Sequence, residues 1–307
     1  MSNDIFKRQV ALLIRIMPSV YRIKDFAVHG GTAINLFHKN MPRYSVDIDL
    51  TYIPITDRDE SLKAINKHLE TLSISIKKTV PGIKIIHKAK VWKLYCRLDG
   101  ATVIVEVNGV KRGVIGDVED KELCEKAQKE FNMTCKAHTV SYTQLYGGKI
   151  AAALSRQHPR DLFDCSYMDI KSFEEVKDGL MLSLLGSDKP IIESLQPNAI
   201  NQMEALENQF AGMTDIPFLY SYYEITRKAL IKRVNNSLTN TDKEFLTSFE
   251  KGNPDWEKCI AGDLSIYPSV KWKLKNIDNL KRVNQLKYLQ GIEKLQSFFT
   301  SNKSGNT

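Results

Sequence analysis

The pattern of apolar and polar residues changes character near residue 143. Before that point, short apolar runs that predict strands alternate with stretches whose apolar residues recur at helical spacing. Asp99-Gly100 separates two of these runs and is a hairpin signal, so the two strands are expected to be antiparallel neighbours. The predicted strands cover 26–28, 46–53, 83–87, 91–97 and 101–107, and the predicted helices cover 4–17, ending near Pro18, then 32–38 and the stretch after its cap Thr56.

After residue 143 the spacing of apolar residues is helical almost throughout. The predicted helices cover 143–155, 160–170, 172–185, 198–211, 217–233, 241–250 and 278–299. The residues Thr241 to Glu244 have the pattern of a capping box for one of them. The chain is therefore predicted to hold a mixed α/β domain over 1–142, a helical domain over 143–300 and a disordered tail over 301–307.

Composition limits the class of protein. The 307 residues are 42% hydrophobic and 26% charged, as in ordinary soluble globular proteins, and the net charge of +8 permits binding to a polyanion without proving it. Five scattered cysteines without zinc-ligand spacing predict reduced thiols. The apolar stretch near the N-terminus is short and interrupted by charges, which predicts neither a signal peptide nor a membrane span, and we expect a cytoplasmic protein.

An acidic pair lies inside the apolar run of the second predicted strand. Asp47 and Asp49 are two residues apart, so both carboxylates are expected on one side of the strand. Like charges on one face repel unless a cation lies between them, and Mg²⁺ is a cation that proteins bind with one or two carboxylates and substrate phosphates. The alternative is a solvated acidic pair, but Ile48 and Leu50 alternate with the acids as they would on a half-buried strand.

Two further features surround this pair. Gly30-Gly31 precedes a predicted helix and serves either as a turn with positive φ or as a place where backbone N–H groups approach a phosphate. Glu106 ends an otherwise apolar strand and is either a solvent-facing residue or a third carboxylate. If its strand lies beside that of the aspartates, the three acids could share two metal ions and activate a hydroxyl group.

A third group of charged residues lies in the helical part. Lys149 and Arg156 are seven residues apart and share a helix face, and Asp161 falls in the first turn of the next helix. The pattern fits a helix hairpin held by ion pairs, or cations that contact a triphosphate with Asp161 orienting one of them. The pair Gly147-Gly148 inside a helix indicates close approach of a backbone or a ligand.

Taken together, these motifs resemble the AbiEii/AbiGii nucleotidyltransferase toxins of abortive-infection and type IV toxin–antitoxin systems, in the DNA polymerase β-like nucleotidyltransferase superfamily. The resemblance spans about residues 20 to 170. Thr32 stands where the superfamily usually has serine and keeps a hydroxyl group. The motifs are Gly30-Gly31-Thr32-Ala33, Arg43-x-Ser45-x-Asp47-x-Asp49, the later acid Glu106, and Lys149-x6-Arg156-x3-Arg160-Asp161-x2-Asp164.

The resemblance implies a fold, a reaction and partners. It implies an α+β fold in which a nucleotidyltransferase-like mixed sheet with flanking helices is followed by a mainly helical domain that completes the nucleotide site. The reaction would transfer NMP from a Mg²⁺-bound NTP to an acceptor hydroxyl, which in related toxins is at the tRNA 3′ end, and would block translation. The expected partners are this RNA and a cognate antitoxin, often a winged-helix regulator; no membrane partner is expected, and the protein is expected to be a monomer.

The resemblance also implies roles for individual residues. Asp47 and Asp49 would hold Mg²⁺, with two ions expected, and Glu106 would complete the second metal site or accept the proton of the attacking hydroxyl. Lys149 would neutralise charge on the leaving pyrophosphate. The predicted catalytic residues are Asp47, Asp49, Glu106, Lys149 and Asp161, and the predicted nucleotide-contacting residues are Gly30, Gly31, Thr32, Arg43, Ser45, Lys149, Arg156 and Arg160.

Two other functions stay open at this point. One keeps the chemistry and changes the acceptor to a small molecule, as in antibiotic-modifying nucleotidyltransferases. Alternatively, the protein is a catalytically idle scaffold that binds a nucleotide or a partner.

Overall fold

The computed structural model describes residues 2–301, which form two compact units. The first unit comprises the chain up to Leu145 together with Met203–Leu219, and the second comprises Tyr146–Gln202 and the chain from Tyr220 onward. The division expected from the sequence differs in that it assigns 203–219 to the helical domain. Two hydrogen bonds explain the difference: the Tyr44 amide donates to the Met213 carbonyl at 2.7 Å, and the Thr214 hydroxyl donates to the Pro42 carbonyl at 2.8 Å.

Within residues 2–301, seven strands of the first unit form one mixed sheet, which confirms the predicted fold class. The strands are β1 Phe26–His29, β2 Ile48–Tyr52, β3 Lys84–Lys88, β4 Lys93–Leu98, β5 Ala101–Val107, β6 Glu119–Glu122 and β7 Lys136–Thr139, in the order β3-β4-β5-β2-β1-β7-β6. The strands β2 and β5 run parallel, as do β1 and β7, and the other neighbours are antiparallel. The hairpin predicted at Asp99-Gly100 is confirmed, since β4 and β5 pair across it.

Helices of the first unit flank this sheet. They are α1 Ser2–Tyr21, α2 Gly30–Thr32, which continues as a π-helix over Ala33–His38, α3 Arg58–Thr79 and α4 Glu125–Phe131. The first helix does not end near Pro18 but continues to Tyr21, because Met17 and Val20 are buried in the core on its inner face. The cap of α3 is Asp57 and not Thr56, since the Asp57 carboxylate accepts the Asp59 amide at 2.8 Å.

From Tyr142 to Ser301 the chain is mainly helical. The helices are α5 Tyr142–Arg156, α6 Pro159–Ser166, α7 Glu174–Leu185, α8 Ile191–Leu195, α9 Met203–Ala205 with a π-helix over Leu206–Phe210, α10 Tyr220–Ser237, α11 Asn240–Glu250, α12 Pro268–Val283 and α13 Gln285–Ser301. The predicted helix 278–299 is two helices, because Asn284 has a non-helical backbone with φ −146° and ψ 75°, and its side chain accepts the Lys287 amide at 3.0 Å. Ser301 is the last residue of α13, and the rest of the predicted tail lies outside the described residues.

The capping box of α11 begins two residues before the predicted one. Thr239 accepts the Asp242 amide at 3.2 Å, and the Asp242 carboxylate accepts the Thr239 amide at 2.7 Å. The same carboxylate lies 2.8 Å from the buried ammonium of Lys177, so this cap also carries an ion pair to α7.

Gly147 in α5 is required by close backbone packing. A Cβ atom at this position would lie 2.2 Å from the backbone nitrogen of Leu180 and 2.7 Å from the carbonyl oxygen of Val176, both in α7. The sequence left two explanations for a glycine here, close approach of a backbone or of a ligand. The structure shows the first, since the backbone of α7 packs against Gly147. No helix in residues 2–301 combines the length and the apolar content that crossing a membrane demands.

Candidate active site

The glycine turn packs directly against the polar side chains of the predicted motif. Gly30 has φ +68°, and a Cβ atom there would lie 2.6 Å from Asp49 Oδ2. A Cβ atom at Gly31 would lie 2.6 Å from a terminal nitrogen of Arg43 and 3.0 Å from Ser45 Oγ. The turn therefore has the positive φ of a tight turn. Because its two glycines have no side chains, the Asp49 carboxylate and the Arg43 guanidinium group lie directly against its backbone.

Thr32 holds the segment that leads into the acidic strand. Its side chain is buried, and Oγ1 lies 3.0 Å from Ser45 Oγ and donates to the backbone oxygen of Asp47 at 2.5 Å. Arg43, which is buried, donates to the carbonyl of Tyr44 at 2.8 Å. The hydroxyl of Thr32 therefore positions Asp47 through its backbone, and the predicted contact of this hydroxyl with a nucleotide stays a prediction.

The two aspartates occupy different places relative to the strand. Strand β2 begins at Ile48, so Asp49 lies on the strand and Asp47 lies just before it. The predicted alternation is nevertheless present, because Ile48 and Leu50 are buried, Asp49 is exposed and Asp47 is half-buried. Asp49 is thus an exposed carboxylate on strand β2, whose opposite face packs in the core through Ile48 and Leu50.

A row of polar residues crosses five neighbouring strands at the level of Asp49. Asp49 pairs with His29 on one side and with Glu106 on the other, Glu106 pairs with Lys93, and Lys93 pairs with Lys88. Side chains of directly paired residues point to the same face of a sheet. We call these five residues, His29, Asp49, Glu106, Lys93 and Lys88, the polar row. The structure therefore brings Glu106 beside Asp49, an adjacency that the sequence left open.

Lys93 is a residue of this row that the sequence analysis missed. Its Nζ lies 2.6 Å from Glu106 Oε2, with 28% of the Lys93 side chain and 42% of the Glu106 side chain exposed. The hydrogen bond to Glu106 raises the pKa of Lys93 and outweighs the opposing effect of burial, while the charges of Glu106 and Asp49 add to the rise. Lys93 therefore stays an ammonium ion and compensates two neighbouring carboxylates.

The described acidic residues of this region do not form a metal cage. Within residues 2–301, no three His, Cys, Asp or Glu side chains are grouped so that they could hold a metal ion. Mg²⁺ needs only one or two carboxylates when substrate phosphates supply other ligands, and the Asp49 carboxylate lies close against the glycine turn. The role of Asp47 and Asp49 as ligands of Mg²⁺ stays a prediction. The carboxylate of Glu106, in contrast, is already paired with Lys93.

The second predicted group is an ion-paired helix hairpin of the second unit. Lys149 Nζ lies 3.0 Å from Asp161 Oδ1 and 2.9 Å from Asp164 Oδ2, and all three side chains are buried. Arg156 donates to both carboxylate oxygens of Asp161, at 3.0 Å each. Burial raises the pKa of Asp161, but the charges of Lys149 and Arg156 and the hydrogen bond from Lys149 more than offset it and hold the pKa below its usual value.

The loop between α5 and α6 contains two structural residues that the sequence did not identify. Gln157 has φ +52°, and His158 caps α6, with its Nδ1 accepting the Arg160 amide at 3.1 Å. The half-buried Arg160 and the group of Lys149, Arg156 and Asp161 belong to the second unit. The glycine turn, Asp47, Asp49 and Glu106 belong to the first. Contacts of either group with a nucleotide stay predictions.

The fold and these motifs define a nucleotidyltransferase. The model of the family described as "Nucleotidyl transferase AbiEii toxin, Type IV TA system" matches residues 12–276, and the chain belongs to this family. It is therefore a nucleotidyltransferase toxin of a type IV toxin–antitoxin system, as predicted, and the family implies an antitoxin partner.

A solved structure shares the fold. MenT4, a nucleotidyltransferase toxin from Mycobacterium tuberculosis H37Rv, is similar with a TM-score of 0.59 and 15% sequence identity, over 88% of this chain and 91% of that chain. No curated protein matches the sequence.

Proposed function

We propose that this toxin uses Mg²⁺ to transfer NMP from an NTP to an RNA, at the 3′ end of tRNA, and thereby blocks translation. The observation that carries the proposal is the placement of the exposed Asp49 carboxylate beside a glycine turn on one side and Glu106 on the other. The net charge of +8 favours a polyanionic acceptor over a small neutral one.

In this proposal, Asp47 and Asp49 hold the ion. Bound Mg²⁺ would supply charge compensation on the triphosphate. Backbone N–H groups at Gly30 and Gly31 are proposed to approach the phosphates, and Arg43 and Ser45 lie against that turn. Transfer of a phosphoryl-type group depends mostly on positioning and electrostatics. A strand packed in the core holds its carboxylates in fixed positions.

Glu106 is proposed to accept the proton of the attacking hydroxyl. Its carboxylate is adjacent to Asp49 on the same face of the sheet and is partly exposed, so an acceptor hydroxyl has access to it. This is the second of the two roles predicted for Glu106.

The proposal keeps the predicted roles of the second group as well. Lys149 neutralises charge on the leaving pyrophosphate, Arg156 and Arg160 contact the triphosphate, and Asp161 orients a cation. What supports the last of these roles is that Asp161 binds both Lys149 and Arg156 at 3.0 Å. Because the group also stabilises its own helices, its variants must be judged together with their stability.

The test is incubation of the protein with each α-³²P-labelled NTP, Mg²⁺ and total tRNA. We expect label on tRNA with wild type, and loss of label with Asp47→Asn and Asp49→Asn, which keep side-chain shape. The control is Asp99→Asn at the turn of the β4–β5 hairpin, where asparagine tolerates the positive φ of 47° and labelling should persist. Full labelling by Asp49→Asn would contradict the metal assignment.

Two further arms separate the acceptors. Periodate-oxidised tRNA lacks the intact terminal diol, so it should not accept label if the 3′ end is the acceptor. Label on aminoglycosides but not on tRNA would instead support a drug-modifying enzyme, and absence of transfer to any acceptor would support the idle scaffold. A cell-free translation reaction with pretreated tRNA then tests the block of translation.

A further inference from the structure

Lys93 of the polar row has no role in the proposed mechanism. It lies opposite Glu106 in the antiparallel pair β4–β5, while Asp49 lies opposite Glu106 in the parallel pair β2–β5. Glu106 is therefore flanked by an acid on one side and an ammonium group on the other. The arrangement follows from strand register, which fixes all three positions.

We propose that Lys93 supplies the positive charge at Glu106 that a second divalent ion would otherwise supply, so that the active site binds one divalent cation. This inference rests on the proposed Mg²⁺ site at Asp47 and Asp49. It replaces the expectation of two ions and the first of the two roles predicted for Glu106. Lys93 is accordingly a positioning residue, which acts through Glu106.

The contact between Lys93 and Glu106 carries the first step. A carboxylate has two oxygen atoms, and Oε2 of Glu106 lies 2.6 Å from Lys93 Nζ, the distance of a charge-assisted hydrogen bond. A metal ion bound to Glu106 would have to displace the ammonium group or lie close beside it, and two cations repel. The absence of any three-residue group of metal-ligating side chains among residues 2–301 agrees with this.

The charge balance of the row carries the second step. Directly opposite carboxylates such as Asp49 and Glu106 destabilise a sheet unless a cation compensates them. Lys93 provides that compensation within the chain, with Lys88 one strand further along the same row. A second metal ion is therefore not needed to hold the two acids side by side, and Glu106 stays free of metal.

The test counts bound metal ions and does not depend on turnover. The full-length protein is saturated with α,β-methylene NTPs, supplied as all four bases, and bound Mn²⁺ is counted by equilibrium dialysis, as the excess of total Mn²⁺ on the protein side over the nucleotide solution outside. We expect one Mn²⁺ per protein for wild type and for Lys93→Arg. We expect two for Lys93→Met, because Glu106 is then released.

Three more variants make the count specific. The double variant Lys93→Met with Glu106→Gln should return to one ion, since the released carboxylate is gone. Lys88→Met removes a lysine of the same row that is not paired with Glu106 and should bind one ion, as wild type does. Lys93→Gln serves as a second charge-removing variant if circular dichroism shows that Lys93→Met is unfolded.

The outcomes separate this inference from the proposed function. Two ions in wild type, or one ion in a folded charge-removing variant of Lys93, would overturn the inference while leaving the Mg²⁺-dependent transfer intact. Failure of wild type to bind any Mn²⁺ with nucleotide would overturn the proposed function itself, and the inference with it.

Discussion

Removal of the positive charge of Lys149, in the hairpin of α5 and α6, should destabilise the second unit strongly. The variant Lys149→Met keeps the aliphatic length of the side chain but removes its charge. The Lys149 side chain is 7% exposed, and its partners Asp161 and Asp164 are 4% and 0% exposed. The Lys149→Met substitution therefore leaves the carboxylates of Asp161 and Asp164 buried beside each other without the ammonium group that compensates them.

The expected cost follows from this burial. Loss of one partner from a buried ion pair costs about 3–5 kcal/mol, because the remaining charge stays desolvated. Arg156 still binds Asp161 but is itself 64% exposed, so its compensation is screened by solvent. We therefore expect a loss of about 3 kcal/mol in the free energy of unfolding. The double variant with Asp164→Leu should recover part of it, with a coupling energy of about 1–3 kcal/mol.

The assay must report on the two units separately, since a chain of this kind need not unfold in one step. Urea-dependent amide hydrogen exchange, resolved by mass spectrometry into peptides of α5 to α7 and peptides of the sheet, gives one free energy for each. A loss below about 1 kcal/mol in the α5 to α7 peptides would refute the reasoning from burial. An equal loss in both sets of peptides would refute its assignment to this hairpin.

Three other predictions use the same exchange measurement. Gly147→Ala should cost about 3 kcal/mol or more, because its Cβ would lie 2.2 Å from the backbone of α7, whereas Gly291→Ala, with nothing within 4 Å, should be neutral or stabilising. Thr239→Ala should cost about 1 kcal/mol and Thr241→Ala close to nothing, since Thr239 is the observed cap; equal effects would contradict this. The depressed pKa of Asp161 implies stabilisation that is present above the usual carboxyl pKa and lost as the pH falls through the depressed value. Asp161→Asn should therefore lower stability at neutral pH and reduce its loss in acid, and an unchanged acid response would count against the pairing.

The strands that the sequence predicted are those with an apolar run. Strand β5 alternates buried and half-buried residues, and in β2 the exposed Asp49 lies between the buried Ile48 and Leu50, so that the apolar runs mark both strands directly. Strand β6 has the sequence Glu-Asp-Lys-Glu and lies at the edge of the sheet, so it has no apolar pattern to find. Strand β7 is short and mostly buried, and only its pairing with β1 and β6 distinguishes it from a loop.

The pairing of Lys93 with Glu106 could have been predicted from the sequence. A two-residue turn at Asp99-Gly100 fixes the register of β4 against β5, and counting back from Leu98 and forward from Ala101 places Lys93 opposite Glu106. The adjacency of Glu106 to Asp49 could not have been predicted in this way. It depends on a parallel pairing of strands that are far apart along the chain, which no local signal encodes.

The motif residues differ in how much of the fold depends on them, and this decides which variants can test catalysis. Thr32 and Lys149 match the family motif, but the structure gives each a structural task, since Thr32 bonds the backbone of Asp47 and Lys149 compensates buried carboxylates. Loss of activity on replacing either would follow from a displaced segment as well as from a lost nucleotide contact. Asp49 is exposed on a strand whose inner face is apolar, so Asp49→Asn should leave the fold intact. A loss of transfer in that variant, with unchanged exchange in the sheet, is therefore the result that ties the chemistry to a carboxylate.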